Sequence, residues 1–180
     1  MYVGLVRTLL IDQSTFENCS GSTGGALHLS QGYFQADEVP SFTQQPLAIT
    51  NSRFVNNRAT GNGGSVAIQD VTADVQFTGC TFLNSTSTEG WGGSVFVEGA
   101  ETRRIRVDFN DCVFNHSVAV RGGAVFASLL QLIVQATSFS HTYGEIDWRA
   151  AVALHCDRGR SRCDEAIFLS LLKGSFNLFC

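Results

Sequence analysis

Several groups of side chains in this sequence are equipped for chemistry. Asp108 and Asp111 stand close together, and clustered carboxylates are what a Ca²⁺ site or the acid–base pair of a glycoside hydrolase requires. Four histidines, His28, His116, His141 and His155, could ligate a metal if a third ligand joined two of them. Six cysteines, at 19, 80, 112, 156, 163 and 180, could form disulfides in an oxidising compartment. Cys156 and Cys163 flank the polar loop Asp157-Arg-Gly-Arg-Ser-Arg162 and form the best disulfide candidate; their spacing is not that of a zinc Cys-x-x-Cys motif. Asn18, Asn84 and Asn115 each open an Asn-x-Ser/Thr sequon, the acceptor signal for N-glycosylation. The arginine groups Arg103-Arg-Ile-Arg106 and Arg158 to Arg162 read first as solvated loops, and second as a grip on an acidic glycan.

Composition narrows what these groups can serve. The net charge is -4, with eleven Arg and one Lys, so no bulk basic field exists for nucleic acid. No apolar run reaches the length of a membrane-spanning helix; the last one, Ala166 to Phe179, is interrupted by Lys173. Eighteen Gly against two Pro point to many tight turns between short strands.

The elements that must position any site come from an internal repeat. Five segments align on one phenylalanine: Phe16, Phe54, Phe82, Phe114 and Phe139. Seven residues before it stands Leu or Val, and five before it stand Ile11, Ile49, Phe77, Phe109 and Val134. Two before it are small residues, Ser14, Ser52, Cys80, Cys112 and Thr137; two after it are Asn18, Asn56, Asn84, His116 and His141. A second block follows: Gly24-Gly-Ala-Leu, Gly63-Gly-Ser-Val, Gly92-Gly-Ser-Val, Gly122-Gly-Ala-Val and a degenerate Arg149-Ala-Ala-Val152. A further resemblance at Asp164 to Leu169 comes too soon to count as another full repeat. Steps between the phenylalanines are 38, 28, 32 and 25 residues. The longest connection carries both prolines, Pro40 and Pro46, and is where a loop should protrude.

Positions -7 and -5, and -2 and 0, are spaced by two, which is strand alternation. The three-residue step between -5 and -2 breaks that alternation and predicts a bend. The Gly-Gly pair predicts another, because Gly tolerates positive φ and close backbone approach. Each repeat is therefore two or three short strands that bury their apolar face only when repeats stack. Stacking at about 4.8 Å places like residues over like. The expected fold is all-β: a right-handed single-stranded parallel β-helix of about five coils, handed as parallel crossovers usually are. The phenylalanines should form an internal stack, and Asn18, Asn56 and Asn84 an internal amide ladder. Residues 1–155 are read as the repeat domain and 156–180 as a degenerate last coil or C-terminal cap. Uncapped ends are expected to make the isolated chain aggregate, and the lack of a polar tail or signal peptide leads us to expect a fragment of a longer repeat protein.

Phe-x-x-Asn followed by Gly-Gly-Ala/Ser-hydrophobic resembles the repeat of chlamydial polymorphic outer-membrane proteins; Phe54-Val-Asn-Asn57 with Gly63-Gly-Ser-Val66 matches it best. That resemblance spans residues 9 to 154 and implies a passenger-type adhesin or surface scaffold, extracellular or at the cell surface, with a protein or glycan as partner. It does not imply the membrane barrel, because no translocator could fit in the remaining residues. The β-helix fold also resembles that of pectate lyases and polygalacturonases, which makes a carbohydrate-active enzyme, or an inactive glycan-binding relative, the alternative. Against an enzyme, Asp108 and Asp111 are matched in neighbouring repeats by Gln76 and Ile133, and by Gly79 and Ala136, so no acidic ladder forms. His116 and His141 read as ladder residues, and Cys80 and Cys112 as small core residues whose bridging would demand unusual geometry. Asn18 and Asn84 are expected to be hidden in the ladder, leaving Asn115 as the one defensible sequon, and only in a eukaryotic, secreted protein. No catalytic, cofactor or metal residue is assigned, and no cofactor is expected.

Overall fold

The computed structural model describes residues 1–4, 8–30, 47–100, 105–144, 150–155, 166–168 and 172–179. All the regular elements among them are strands, arranged in three sheets. The long connection with both prolines, and the Cys156–Cys163 loop, lie outside the described residues.

Each aligned repeat threads through the sheets in the same order. The segment from -7 to -4 and the segment around the phenylalanine both enter one sheet: Leu47–Thr50 then Arg53–Val55, Val75–Thr78 then Thr81–Leu83. In the last repeat a single strand, Leu130–Ser140, spans both segments and joins their two rows. A short strand then enters a five-stranded sheet, for example Thr86–Ser87 between Arg58–Ala59 and Val118–Ala119. The segment after the Gly-Gly block enters a seven-stranded sheet, as Leu27–Ser30, Val66–Val71, Val95–Gly99, Val125–Ser128 and Ala150–His155. Consecutive repeats pair in parallel in all three sheets. Register follows the sequence alignment: Phe77 faces Phe109, Phe82 faces Phe114, and Val125 faces Val152. Val152 of the degenerate fifth block thus takes its aligned place. Ala166–Phe168 pairs antiparallel to Ala150–His155, and Leu172–Phe179 antiparallel to Leu130–Ser140, so neither continues the parallel series.

Three corners in each of the first four repeats, and two among the described residues of the fifth, punctuate the strands. Position -3 has positive φ in every repeat: Gln13 47°, Asn51 48°, Gly79 62°, Asp111 52°, Ala136 47°. Position +2 does too: Asn18 55°, Asn56 54°, Asn84 51°, His116 54°, His141 51°. The first glycine of the pair is the third corner, with φ of 60° to 70°. Left-handed backbone disfavours most L residues and favours Gly, with Asn, Asp and His enriched among the rest, which accounts for most of these columns but not for Gln13 and Ala136. The second glycine answers a different need. A Cβ on Gly64 would lie 2.0 Å from the Gly93 carbonyl oxygen, and one on Gly93 2.0 Å from that of Gly123.

Between the sheets lies one continuous apolar core. Phe16, Phe54, Phe82, Phe114 and Phe139 stack in order, with centroids 4.7 to 4.9 Å apart and ring planes within 8° of parallel. Isolated aromatic pairs prefer offset or edge-on contact; here the strand spacing imposes the stack. Phe77 and Phe109 form a second pair at 4.7 Å, edge-on to the first column. Phe16, at the end of the column, is only half-buried, and Leu10 of the same repeat is 68% exposed.

Candidate functional site

The +2 column corrects the expected burial. Asn18, Asn56 and Asn84 are exposed, although Asn84 Nδ2 does donate to Asn56 Oδ1 at 3.0 Å. Strand alternation would have put a +2 residue inside with the phenylalanine. The left-handed φ at that position breaks the alternation and turns the side chain out. The inward position is +3, one residue later, occupied by Cys19, Asn57, Ser85, Ser117 and Thr142. Of these, Asn57, Ser85, Ser117 and Thr142 are buried.

Asn57 shows what that interior position does. Its Oδ1 accepts from the Cys19 amide at 2.9 Å, and its Nδ2 donates to the Phe16 carbonyl at 3.1 Å and to Ser65 Oγ at 3.3 Å. Ser65 and Ser85 share a hydrogen bond at 2.7 Å, and Ser94 and Ser117 one at 2.6 Å. These side chains bridge neighbouring repeats and satisfy one another, as buried polar groups must. Among the described residues no buried side-chain nitrogen or oxygen lacks a partner. The signal was present in the sequence, since every +3 residue is small or polar.

Asp108 and Asp111 are not brought together as a pair. Asp108 lies on the strand Ile105–Asn110, where both its carboxylate oxygens accept from Arg106 Nε at 2.9 Å. The hydrogen bond from Arg106 to Asp108, and then their charge attraction, raise the Arg106 pKa. Asp111 stands exposed at the following corner. Asp12 is likewise committed locally: Thr50 Oγ1 and Asn51 Nδ2 donate to it, and these bonds hold its carboxyl below the usual range. Among the described residues no three His, Cys, Asp or Glu side chains gather as a metal site. Arg103, Arg104 and the arginines from 158 to 162 lie outside the described residues.

His116 and His141 do stack, with centroids 4.5 Å apart and planes 5° from parallel, and they are exposed. His141 Nδ1 lies 3.3 Å from Asn115 Oδ1. Parallel rings aim their nitrogens side by side, a poor start for the converging ligands that a tetrahedral metal needs. His28 sits elsewhere, its Nε2 3.0 Å from Gln69 Oε1. The side chain of His155 is outside the described residues.

Cys80 and Cys112 are buried free thiols in the -2 column. Cys80 Sγ points to the Ile49 carbonyl at 3.3 Å and Cys112 Sγ to that of Phe77 at 3.5 Å. The hydrogen bond to Cys80, followed by burial, pushes the Cys112 thiol well above the ordinary range. Such a thiol is a poor nucleophile, and the pair packs as small core residues. The hydroxyl members of the column behave alike: Ser52 Oγ donates to the Thr50 carbonyl at 2.7 Å and accepts from the Ser14 amide at 3.1 Å.

One surface feature escaped the sequence reading. On the outward side of the seven-stranded sheet, Phe96 and Phe126 are buried with Ala67 in a cluster separate from the main core. Their centroids are 5.6 Å apart. Trp91, 37% exposed, lies 4.7 Å from Phe126 and 6.4 Å from Phe96. The Arg121 guanidinium carbon stands 5.9 Å from the Trp91 ring centroid, within the reach of a cation–π contact. Phe96 and Phe126 share an outward column, and Trp91 and Arg121 share the position before the Gly-Gly pair. Reading which face of the Gly-Gly strand is inward would have found this patch.

No family model matches this chain, and no curated protein or solved structure matches it. Among the described residues no helix is long and apolar enough to cross a membrane.

Proposed function

We propose that this chain is a non-catalytic surface or secreted module, adhesin-like or structural, wound as a right-handed parallel β-helix. The observation that carries the reading is the common register of successive repeats in all three sheets. A chain that leaves one strand and returns beside it, one repeat later, in sheet after sheet makes a coil. Right-handed winding follows from the preference of parallel crossovers. The resemblance of the Phe-x-x-Asn and Gly-Gly-Ala/Ser blocks to polymorphic outer-membrane protein repeats supports a role at the cell surface or outside the cell.

The side chains support a scaffold that works by shape. Asp108 is engaged by Arg106, the +3 polar groups bridge repeats, and the cysteines of the -2 column are sealed in the core. The Trp91–Arg121 patch favours one second reading, an inactive glycan-binding relative of the β-helix lyases, because an exposed aromatic ring can stack on a sugar face.

Incubating the purified chain with polygalacturonate and related glycans, with and without Ca²⁺, tests both readings. The scaffold reading predicts no product release from a protein shown by circular dichroism to be β-rich. Binding without turnover, abolished by Trp91→Ala, moves the assignment to the glycan-binding relative. Turnover contradicts the non-catalytic reading outright.

A further inference from the structure

We propose that Asn18 and Asn84 are the N-glycan acceptors of this chain and that Asn115 is not, the reverse of what strand alternation predicts. The inference rests on the secreted reading and on a eukaryotic source, since the modification needs the secretory route. Three sequons compete, and the fold treats them differently.

Asn18 and Asn84 occupy the same corner column, two repeats apart, and both are exposed with left-handed backbone. The amides of Asn18 and Asn56 donate to Val55 and Leu83 of the next repeat, so the column runs straight. Two strand spacings put the acceptors roughly 10 Å apart on one edge. The hydroxyl of each sequon is also reachable: Ser20 is exposed and Thr86 is partly exposed. Asn84 Nδ2 spends one hydrogen on Asn56 Oδ1. Glycosylation replaces one of the two amide hydrogens, so the other can keep that bond.

Asn115 meets the opposite conditions. It is half-buried, and its Oδ1 accepts from Ser140 Oγ at 3.0 Å. Its sequon hydroxyl, Ser117, is fully buried and bonded to Ser94 at 2.6 Å. In the folded chain the hydroxyl that the acceptor signal requires is sealed in the core, and a glycan attached at Asn115 before folding would oppose the packing around it.

The co-reactant is an oligosaccharide carried on a polyprenyl diphosphate. Nδ2 forms a bond to the anomeric carbon, the bond from that carbon to the diphosphate oxygen breaks, and one amide proton leaves to a base. No oxidation or reduction occurs. The glycans would line the corner that carries the +2 column, whereas Trp91 and Arg121 stand at the Gly-Gly corner and stay uncovered.

The test is expression of the whole chain behind a cleavable secretory leader in mammalian cells. Secreted and cell-retained chain are both collected, and the glycans are removed enzymatically in heavy-oxygen water, which marks each occupied Asn as a labelled Asp. Peptide mass spectrometry should find label at Asn18 and Asn84 and none at Asn115. Ser20→Ala should remove the first mark and Thr86→Ala the second. Label at Asn115, or none at either corner site, overturns the proposal; label at one corner site overturns it for the other. Because the leader imposes the route, this outcome is independent of the natural location of the chain and of the scaffold reading, whose non-catalytic part falls instead if the chain cleaves glycans.

Discussion

Replacing Phe82 with Ala should unfold this protein more readily than any other single truncation in the phenylalanine column. Phe82 is fully buried, stacked on Phe54 at 4.9 Å and on Phe114 at 4.7 Å, with Phe77 edge-on at 6.1 Å. Removing the ring leaves a cavity walled by rings that the sheet spacing fixes in place, so collapse is limited. Phe→Ala in such a site costs about 3–5 kcal/mol, against a total stability of about 5–15 kcal/mol for a domain. For a chain of this size that is a fall in Tm of roughly 10 °C. Phe16→Ala removes the same side chain from the half-buried end of the column and should cost less than half as much. Thermal unfolding followed by circular dichroism separates the two. Equal losses would mean that the rings do not form one ordered stack with an interior and an end.

The second large effect is Gly93→Ala, a single methyl that should be as damaging as the loss of a ring. Its Cβ would meet Gly123 O at 2.0 Å and Val118 N at 2.6 Å. Both are backbone atoms of the next repeat, so no rotamer change relieves the clash and the two repeats must part. Overpacking ordinarily costs about 1–3 kcal/mol; here the strain falls on inter-repeat hydrogen bonds such as Gly93 N to Gly122 O, and the upper end or beyond is expected. Gly79→Asn is the control. Gly79 has φ of 62°, yet its column holds Asn51 at 48° and Asp111 at 52° in neighbouring repeats. The nearest atom to its Cβ is the side-chain oxygen of Asn51, which can move. This variant should stay within about 0.5 kcal/mol of the parent. If both glycine variants melt alike, close packing of the Gly-Gly corners is not what holds the repeats at their spacing.

These contrasts mark what the sequence could reveal. The phenylalanine column and the Gly-Gly corner were legible because each recurs with the same physics in every repeat, and Val152 holds its register even where both glycines are gone. The bend at -3 was legible as a broken alternation. The +2 column was misread because alternation was carried one residue too far: Asn18, Asn56 and Asn84 turn outward on left-handed backbone, and the inward position passes to Asn57, Ser85 and Ser117. Nothing in a period-of-two pattern signals a φ inversion except the Asn and His that tolerate it. That misreading also hid two sequons, Asn18 and Asn84, which stand exposed. The outward cluster of Trp91, Phe96 and Phe126 was hidden for another reason. Apolar residues fill both faces of the strand after Gly92-Gly93, so hydrophobicity alone does not say which face meets the core.

The central claim is that successive repeats form the turns of one right-handed helix of strands. A crystal structure of the chain, at a resolution that defines the ring planes, tests it most directly. It should find Phe16, Phe54, Phe82, Phe114 and Phe139 in that order, each centroid within 5 Å of the next, with the chain winding right-handed around them. Rings out of sequence, non-neighbouring repeats in contact or left-handed winding would contradict the account.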